Sequence, residues 1–389
     1  MYQVKTINNI SPLGLAELAG DGFTVGADLA APDGILVRSA DLLSAELPEN
    51  LLAIARAGAG TNNIPIDRCS EAGIAVFNTP GANANAVKEL TVCALFLASR
   101  RVGAGIRWVD EQVKAGVEID SVVEQGKKQF VGPEITGKTL GVIGLGAIGV
   151  QVANTANKLG MKVLGYDPYL SVDAALSLSH WVQRAMDLDT IYKNCDYITL
   201  HLPLSKATEN TLNAAAFAKM KDGARILNLA RGGLVSESDL LDALHSGKVA
   251  AYVTDFPTNA LAAEPNVTAI PHLGASTPDS EENCAVMAAR ELREYLETGN
   301  IRHSVNLPEL EQPWSGIERV CLIHRNTPGM LSSITAAISK EGVNVENLTN
   351  KSRGDYAYTV VDVNAPVQEH TVGEFRAIPG VLRVRVLER

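Results

Sequence analysis

The sequence predicts an α/β protein: a Rossmann-type, doubly wound nucleotide-binding domain, a second α/β unit ahead of it, and a small βαββαβ module behind it. Three observations carry this prediction. A glycine-rich turn, GVIGLGAIG, stands at 141–149; apolar runs alternate with helical stretches after Thr139; and the pattern changes after residue 316. The turn comes late, since a chain that opens with its nucleotide domain carries it near residue 10, so the preceding residues need their own explanation.

Residues 1–92 show a weaker alternation (GILVRSA, LLAIARAGAG, GIAVFNTPG) without a complete nucleotide fingerprint, and are expected to form the second α/β unit. From Thr139 the runs TLGVIGL, MKVLGY, DYITLHL, ARILNLA, VAAYVT and NVTAIPH alternate with helix candidates, the pattern of a parallel sheet covered on both faces. In SESDLLDALHSG, Ser236 can cap the helix start and Gly247 its end. After His272, Thr277 suits an N-cap and Pro278 the first turn, while Asp279, Glu281 and Glu282 favour the positive helix end. That long helix is expected to leave the nucleotide domain. Gly299–Gly316 mixes Pro, Gly and polar residues and reads as a linker. In 317–389, ERVCLIH is a strand, PGMLSSITAAISKEG a helix, VNVENLTNKSR and DYAYTVVDV two strands, and VQEHTVGEFRAI a helix. VLRVRVLE then reads as a half-exposed final strand, giving the order βαββαβ.

A chain of 389 residues is too long for one ordinary core. With 46% hydrophobic and 20% charged residues it reads as soluble and globular, and a net charge of −10 argues against nucleic acid or an anionic membrane as the main partner. Cys69, Cys93, Cys195, Cys284 and Cys321 are scattered without paired spacing, which fits buried free thiols in a reducing compartment; neither disulfides nor a metal site is expected. The start, MYQVKTINNI, has no apolar signal core, and the apolar stretch within Leu90–Ala98 is far shorter than the ~20 residues of a membrane span, so a cytoplasmic location is expected.

Gly144, Gly146 and Gly149 fit GxGxxG: the first permits the tight turn, the second admits the pyrophosphate, and the third lets helix pack on strand. The motif follows a strand, opens a helix, and is followed by MKVLGY ending at Asp167, where adenosine ribose hydroxyls need an acceptor. A carboxylate there also repels a 2′-phosphate, which favours NAD over NADP. Arg231 follows ARILNLA and His272 follows NVTAIP, so both stand at carboxyl ends of strands, facing the ligand crevice. Removing hydride from an alcohol requires a base for the hydroxyl proton, and a 2-hydroxy acid requires a cation for its carboxylate. His272 and Arg231 have the right chemistry.

GLGAIG, YDP at 166–168, HLPL at 201–204, NLARGG at 228–233 and PHLGAST at 271–277 together resemble the D-2-hydroxyacid dehydrogenase family. RAGAGTNNI at 56–64 and the C-terminal module narrow the likeness to its phosphoglycerate-oxidising branch, in the short form with an ACT domain. The resemblance covers essentially the whole chain. It implies a nucleotide domain inserted in a discontinuous substrate domain: 1–92 substrate domain, 93–272 NAD domain, 273–303 return to the substrate domain, 304–316 linker, 317–389 ACT domain. It implies NAD as cofactor and oxidation of 3-phospho-D-glycerate to 3-phosphohydroxypyruvate, the entry to L-serine biosynthesis. Another D-2-hydroxy acid such as glycerate or lactate, or a non-enzymatic NAD sensor on the same fold, stays open at this point.

Residue by residue, the resemblance implies Arg231 on the substrate carboxylate and His272 as acid/base. It places Gly144, Gly146, Ala147, Ile148 and Gly149 at the pyrophosphate, Asp167 at the ribose and Asp255 at the nicotinamide carboxamide, with Leu202, Pro203, Leu229, Ala230, Gly274 and Ala275 lining the cofactor pocket. Arg56 and the backbone of Ala57, Gly58, Ala59 and Gly60 would hold the substrate's anionic end, with Arg38, Lys127 and Lys128 as further candidate cations. In the ACT domain, His324, Asn326 and Asn344 match positions that hold serine between paired modules, which implies L-serine as effector and a homodimer or homotetramer. One departure matters. The family carries a glutamate shortly after the Asp255 position to orient the histidine, whereas this chain reads TDFPTNALAAEPNV, with Asn259 or Ala260 there. Glu264 is the nearby acid, and a surface turn is the simpler reading of it.

Overall fold

In the computed structural model, which describes residues 1–389, the glycine turn belongs to a unit set inside the chain: Ala84–Thr277 form one unit, and Met1–Asn83 with Pro278–Arg389 form the other. The outer unit begins with β1 (Tyr2–Ile7), α1 (Pro12–Ala16), β2 (Phe23–Gly26), β3 (Gly34–Val37), β4 (Ala53–Arg56), α2 (Ile66–Glu71) and β5 (Ala75–Phe77). Its strands pair in parallel in the order β2-β1-β3-β4-β5.

The inner unit opens with α3 (Ala84–Ser99), α4 (Val102–Lys114) and α5 (Ile119–Gly126). The boundary therefore falls ahead of residue 93, because α3 is one unbroken helix whose Ala94, Leu95 and Ala98 join the core of this unit. Then come β6 (Thr139–Ile143), α6 (Ala147–Lys158), β7 (Lys162–Tyr166), α7 (Val172–Ser177), β8 (Val182–Arg184), α8 (Leu188–Asn194), β9 (Tyr197–Leu200), α9 (Ala214–Lys219), β10 (Ala224–Asn228), α10 (Glu237–His245), β11 (Val249–Thr254), α11 (Asn259–Ala263) and β12 (Val267–Ala269). The sheet is parallel throughout, in the order β12-β11-β10-β9-β6-β7-β8. The order reverses between β6 and β9, the point where such sheets bind dinucleotides. The six expected strands are present, and β8 adds a seventh. Ser236 precedes α10, but its side chain makes no capping bond to the helix; Gly247 ends that helix at φ +76°.

The chain re-enters the outer unit through α12 (Pro278–Thr298), which starts directly after Thr277 and lays Cys284, Ala288, Ala289, Leu292, Tyr295 and Leu296 into the core of the unit. The C-terminal module follows as β13 (Glu318–Arg325), α13 (Met330–Lys340), β14 (Val345–Arg353), β15 (Tyr356–Val363), α14 (Glu369–Ala377) and β16 (Val381–Glu388), an antiparallel sheet ordered β14-β15-β13-β16.

Both faces of this sheet are covered. Val320, Leu322 and Val361 pack with Ile334, Ile338 and Phe375 of α13 and α14, while Cys321, Ile323, Tyr358 and Val360 share a core with Tyr295 and Leu296 of α12. Two sequence expectations are corrected here. The 304–316 stretch is no loose linker, since Ile301 and Leu310 bridge each other, Leu307 is fully buried, and the Asn306 side chain bonds Val76 and Ile74 of the first sheet. The charged face of β16 is also not its solvent face. Arg385 is buried and donates to the carbonyls of Tyr295 (3.2 Å) and Leu296 (2.7 Å), and Arg383 donates to those of Glu49 and Ala72. The Arg385 guanidinium thus reaches the last turn of α12, adding a second bond to the Tyr295 carbonyl, which also accepts from the Gly299 N–H, and a bond to the Leu296 carbonyl.

Candidate active site

The glycine turn between β6 and α6 has the geometry its spacing requires. Gly144 stands at φ +92°, and a Cβ there would lie 2.4 Å from the carbonyl oxygen of His201, so only glycine fits. A Cβ on Gly149 would lie 1.9 Å from the Gly144 oxygen, which explains how the helix packs so close to the turn. Gly146 takes the N-cap position with open space above it and no side chain bonding the first-turn N–H groups, so the amino end of α6 and its leading residues Ala147 and Ile148 fit a pyrophosphate. Asp167, after β7, is held by the N–H groups of Leu145 and Tyr169 at 2.8 Å each, one on each carboxylate oxygen. Each oxygen keeps a further lone pair for a ribose hydroxyl.

Three adjacent strands place the reactive groups. β10 ends before Arg231, whose position is fixed by Asn228: the Asn228 amide donates to the Arg231 carbonyl at 2.9 Å, and its Oδ1 accepts from the Arg231 N–H at 3.3 Å. β11 ends before Asp255, which is buried; its Oδ2 accepts from the Gly274 N–H at 3.0 Å, while Oδ1 has no partner. Burial pushes the Asp255 carboxyl up, against the opposing pull of the Gly274 N–H, His272 and Arg231. A buried acceptor left open suits the amide N–H₂ of a nicotinamide. β12 leads to His272, which is exposed and packs its ring 4.7 Å from that of Phe256, centroid to centroid. Leu202 and Pro203 follow β9, Leu229 and Ala230 follow β10, and Gly274 and Ala275 follow His272, all at the carboxyl edge of the sheet.

Other candidates are placed differently. Glu264 pairs with His245 at the end of α10, at 3.0 Å. Lys127 pairs with Glu124 one turn earlier. In the outer unit, Arg56 Nε donates to the Arg38 carbonyl at 3.0 Å, and Arg38 pairs with Glu281. The N–H groups of Ala57 and Gly58 bond the carbonyls of Val37 and Arg56, so the expected backbone cradle at 57–60 lacks these two donors. His324 is 2% exposed and saturated, Nδ1 donating to the Arg325 carbonyl and Nε2 bonded to Thr359, and burial pushes its pKa down. Asn326 bonds Gly354 just past the end of β14, whereas Asn344 precedes its start, so one chain holds the two at opposite ends of a nine-residue strand.

Sequence reasoning missed Asn228, Phe256 and His201. His201, inside the quoted HLPL, is half-buried beside Thr199, and desolvation lowers its pKa to about 4. Nothing in the sequence signalled the ring contact of Phe256.

Residues 93–274 match the D-isomer specific 2-hydroxyacid dehydrogenase NAD-binding domain, and residues 321–383 match the ACT domain like that of the AHAS small subunit. The chain is 33% identical over 353 residues to D-3-phosphoglycerate dehydrogenase of Escherichia coli, covering 87% of this chain and 82% of that one. It is 36% identical over 289 residues to the enzyme of that name from Archaeoglobus fulgidus and 34% over 341 residues to the human one, covering 72% and 83% of this chain. It spans only 52% and 61% of the length of those two relatives. Among solved structures, NAD+-bound 3-phosphoglycerate dehydrogenase of Entamoeba histolytica superposes with a TM-score of 0.61 at 25% identity, over 79% of this chain and 99% of that one.

Proposed function

Because this chain belongs to the D-2-hydroxyacid dehydrogenase family, we propose that it oxidises 3-phospho-D-glycerate to 3-phosphohydroxypyruvate with NAD, opening L-serine biosynthesis. One observation carries this reading: Arg231, Asp255 and His272 stand at the carboxyl ends of three adjacent strands, on the sheet edge that also bears the glycine turn and Asp167. Bound NAD supplies the hydride acceptor. The chain's own groups do the rest. Arg231 binds the 2-hydroxy acid's carboxylate through its planar fork and turns the substrate toward the base. His272 takes the hydroxyl proton as the hydride leaves and returns it in the reverse direction. The Phe256 ring packs against the imidazole and limits its tilt, but supplies none of the charge that a carboxylate gives the histidine elsewhere in the family. Asp255 fixes the carboxamide and with it the ring face presented to substrate. Arg56 and Arg38 are the candidate cations for the phosphate.

We further propose that L-serine regulates the enzyme through paired ACT domains. Asn326 and Asn344 lie at opposite ends of β14, so a site using both would have to be completed by a second module. The exposed stripe Val102, Ile106, Val109 and Val113 on α4 also supports a homo-oligomer. No helix is long and apolar enough to cross a membrane, and the five unpaired cysteines support a reducing, cytoplasmic setting.

The test is to incubate purified protein with NAD and a panel of D-2-hydroxy acids and follow reduced nicotinamide by absorbance. Phosphoglycerate is expected to be preferred, and a kcat/KM for glycerate as high as for phosphoglycerate removes the assignment.

A further inference from the structure

Tyr252, in β11, carries a hydroxyl where a phenylalanine would fill the space as well. The residue is 2% exposed and shares the core of the inner unit with Ile226, Leu240 and Val267. A hydroxyl buried among such residues is costly unless it is bonded. Here it accepts from Asn228 Nδ2 at 3.2 Å. In the parallel register of β10 and β11, Ile226 lies beside Tyr252 and Asn228 beside Thr254, so Asn228 and Tyr252 are diagonal neighbours on one face of the sheet.

The Asn228 amide is fully committed. Nδ2 gives its two hydrogens to the Arg231 carbonyl at 2.9 Å and to Tyr252, while Oδ1 accepts from the N–H groups of Ala230 at 3.2 Å and Arg231 at 3.3 Å. Every bond but one runs to the turn that presents Arg231. The remaining one, to Tyr252, ties that turn to the core. Burial pushes the pKa of the Tyr252 hydroxyl up, against hydrogen bonds from Thr254 and Asn228, so the group stays protonated.

We propose that Tyr252 is a positioning residue: its hydroxyl locks the Asn228 amide and through it sets the turn that aims Arg231. The proposal rests on the reading of Arg231 as the group that binds the substrate carboxylate. Without the hydroxyl, one Nδ2 hydrogen is left buried and without an acceptor. The amide can find another partner only by rotating, and rotation gives up its bonds to Ala230 and Arg231. A planar guanidinium that grips a carboxylate through two parallel bonds tolerates little displacement of its backbone. If the hydroxyl served the core alone, its loss would lower stability and leave substrate affinity where it was.

The experiment compares the full-length wild type with Tyr252→Phe, Asn228→Ala, the double variant and Arg231→Gln. Hydrogen–deuterium exchange is followed by mass spectrometry in the peptide covering 228–233. kcat and KM are measured for the D-2-hydroxy acid that wild type turns over best, and NAD affinity by nicotinamide fluorescence. Tyr252→Phe is expected to quicken exchange at 230–231 and to lower kcat/KM, each by about three- to tenfold, the size of one hydrogen bond. The loss falls mainly on KM, and NAD affinity stays within about twofold. The double variant is expected to be no worse than Asn228→Ala, since the hydroxyl acts through that amide. Wild-type exchange in Tyr252→Phe overturns the proposal, as do additive losses in the double variant. Arg231→Gln tests the underlying reading separately and is expected to lose ~100-fold or more in kcat/KM. With that loss seen, a wild-type kcat/KM in Tyr252→Phe also overturns the proposal. If Arg231→Gln instead keeps its activity, the reading of Arg231 fails, and faster exchange in Tyr252→Phe still establishes the hydroxyl as the anchor of the turn.

Discussion

Glu264 Oε1 lies 3.0 Å from His245 Nε2, a pairing that commits this carboxylate to a helix-end histidine rather than to His272. Glu264→Ala is therefore expected to leave kcat within about threefold of wild type. The proposed base role of His272 predicts that His272→Ala lowers kcat by ~10²–10⁴-fold while NAD still binds, as read by nicotinamide fluorescence on titration. A loss of about 100-fold in Glu264→Ala would make Glu264 the displaced partner of His272.

Asp167 is oriented by two backbone N–H groups, and its proposed place at the ribose is open to test. Asp167→Ala should narrow the ratio of kcat/KM for NAD over NADP, since both an acceptor for the ribose hydroxyls and the repulsion of a 2′-phosphate are lost. An unchanged ratio removes Asp167 from the site.

For the effector, the burial and saturation of His324 shift the expectation toward the exposed asparagines. Asn344→Ala should raise the serine concentration for half-inhibition by roughly tenfold, the loss of one or two hydrogen bonds of ~1 kcal/mol each. Turnover and direct serine binding are measured together. A variant inhibited as strongly as wild type moves the site elsewhere.

Burial, with a contribution from Glu294, pushes the Glu291 carboxyl up to about 9; its Oε1 lies 2.6 Å from His303 Nδ1. The folded protein then holds a proton that the unfolded chain, at the ordinary 4.5, gives up. The corresponding stability is complete below pH 4.5 and is lost as pH rises toward 9. Glu291→Gln keeps a donor for His303 and has no proton to lose, so its urea midpoint should fall less than that of wild type between roughly pH 6 and pH 9, where the folded protein holds a proton that the unfolded chain has released. Parallel pH profiles would remove the buried-acid assignment.

Arg319 and Asp362 are both 0% exposed and joined by two bonds, at 2.6 and 2.9 Å. Arg319→Met strands a buried carboxylate and should cost about 3–5 kcal/mol in chemical unfolding, while the double change with Asp362→Leu should recover most of it. Equal losses in the single and double variants would show that the pair is not the source.

What could be read from the sequence was what local pattern encodes. The strands around GLGAIG are apolar runs bounded by glycine and charge, so the inner unit was visible, and GxGxxG with Asp167 is a local pattern that points to a dinucleotide. β8 was not, because VQR is three residues long with two exposed and leaves no periodic trace. The linker was misread because Pro and Gly mark turns without saying whether those turns are packed. β16 was misread because an alternation of valine with arginine looks amphipathic, and only the facing carbonyls of α12 make the arginine side the inner one. Glu281 was assigned to a helix dipole; its partner Arg38 lies 243 residues away, beyond any spacing rule.

The finishing of α12 by side chains from β13, β15 and β16 has a further meaning. Thr298 and Gly299 give their carbonyls to Arg319 and Tyr358, as Tyr295 and Leu296 give theirs to Arg385. A module attached in this way is no interchangeable cassette. Replacing it with a different domain would remove the side-chain partners of the Leu296, Thr298 and Gly299 carbonyls and bare Tyr295 and Leu296 to water.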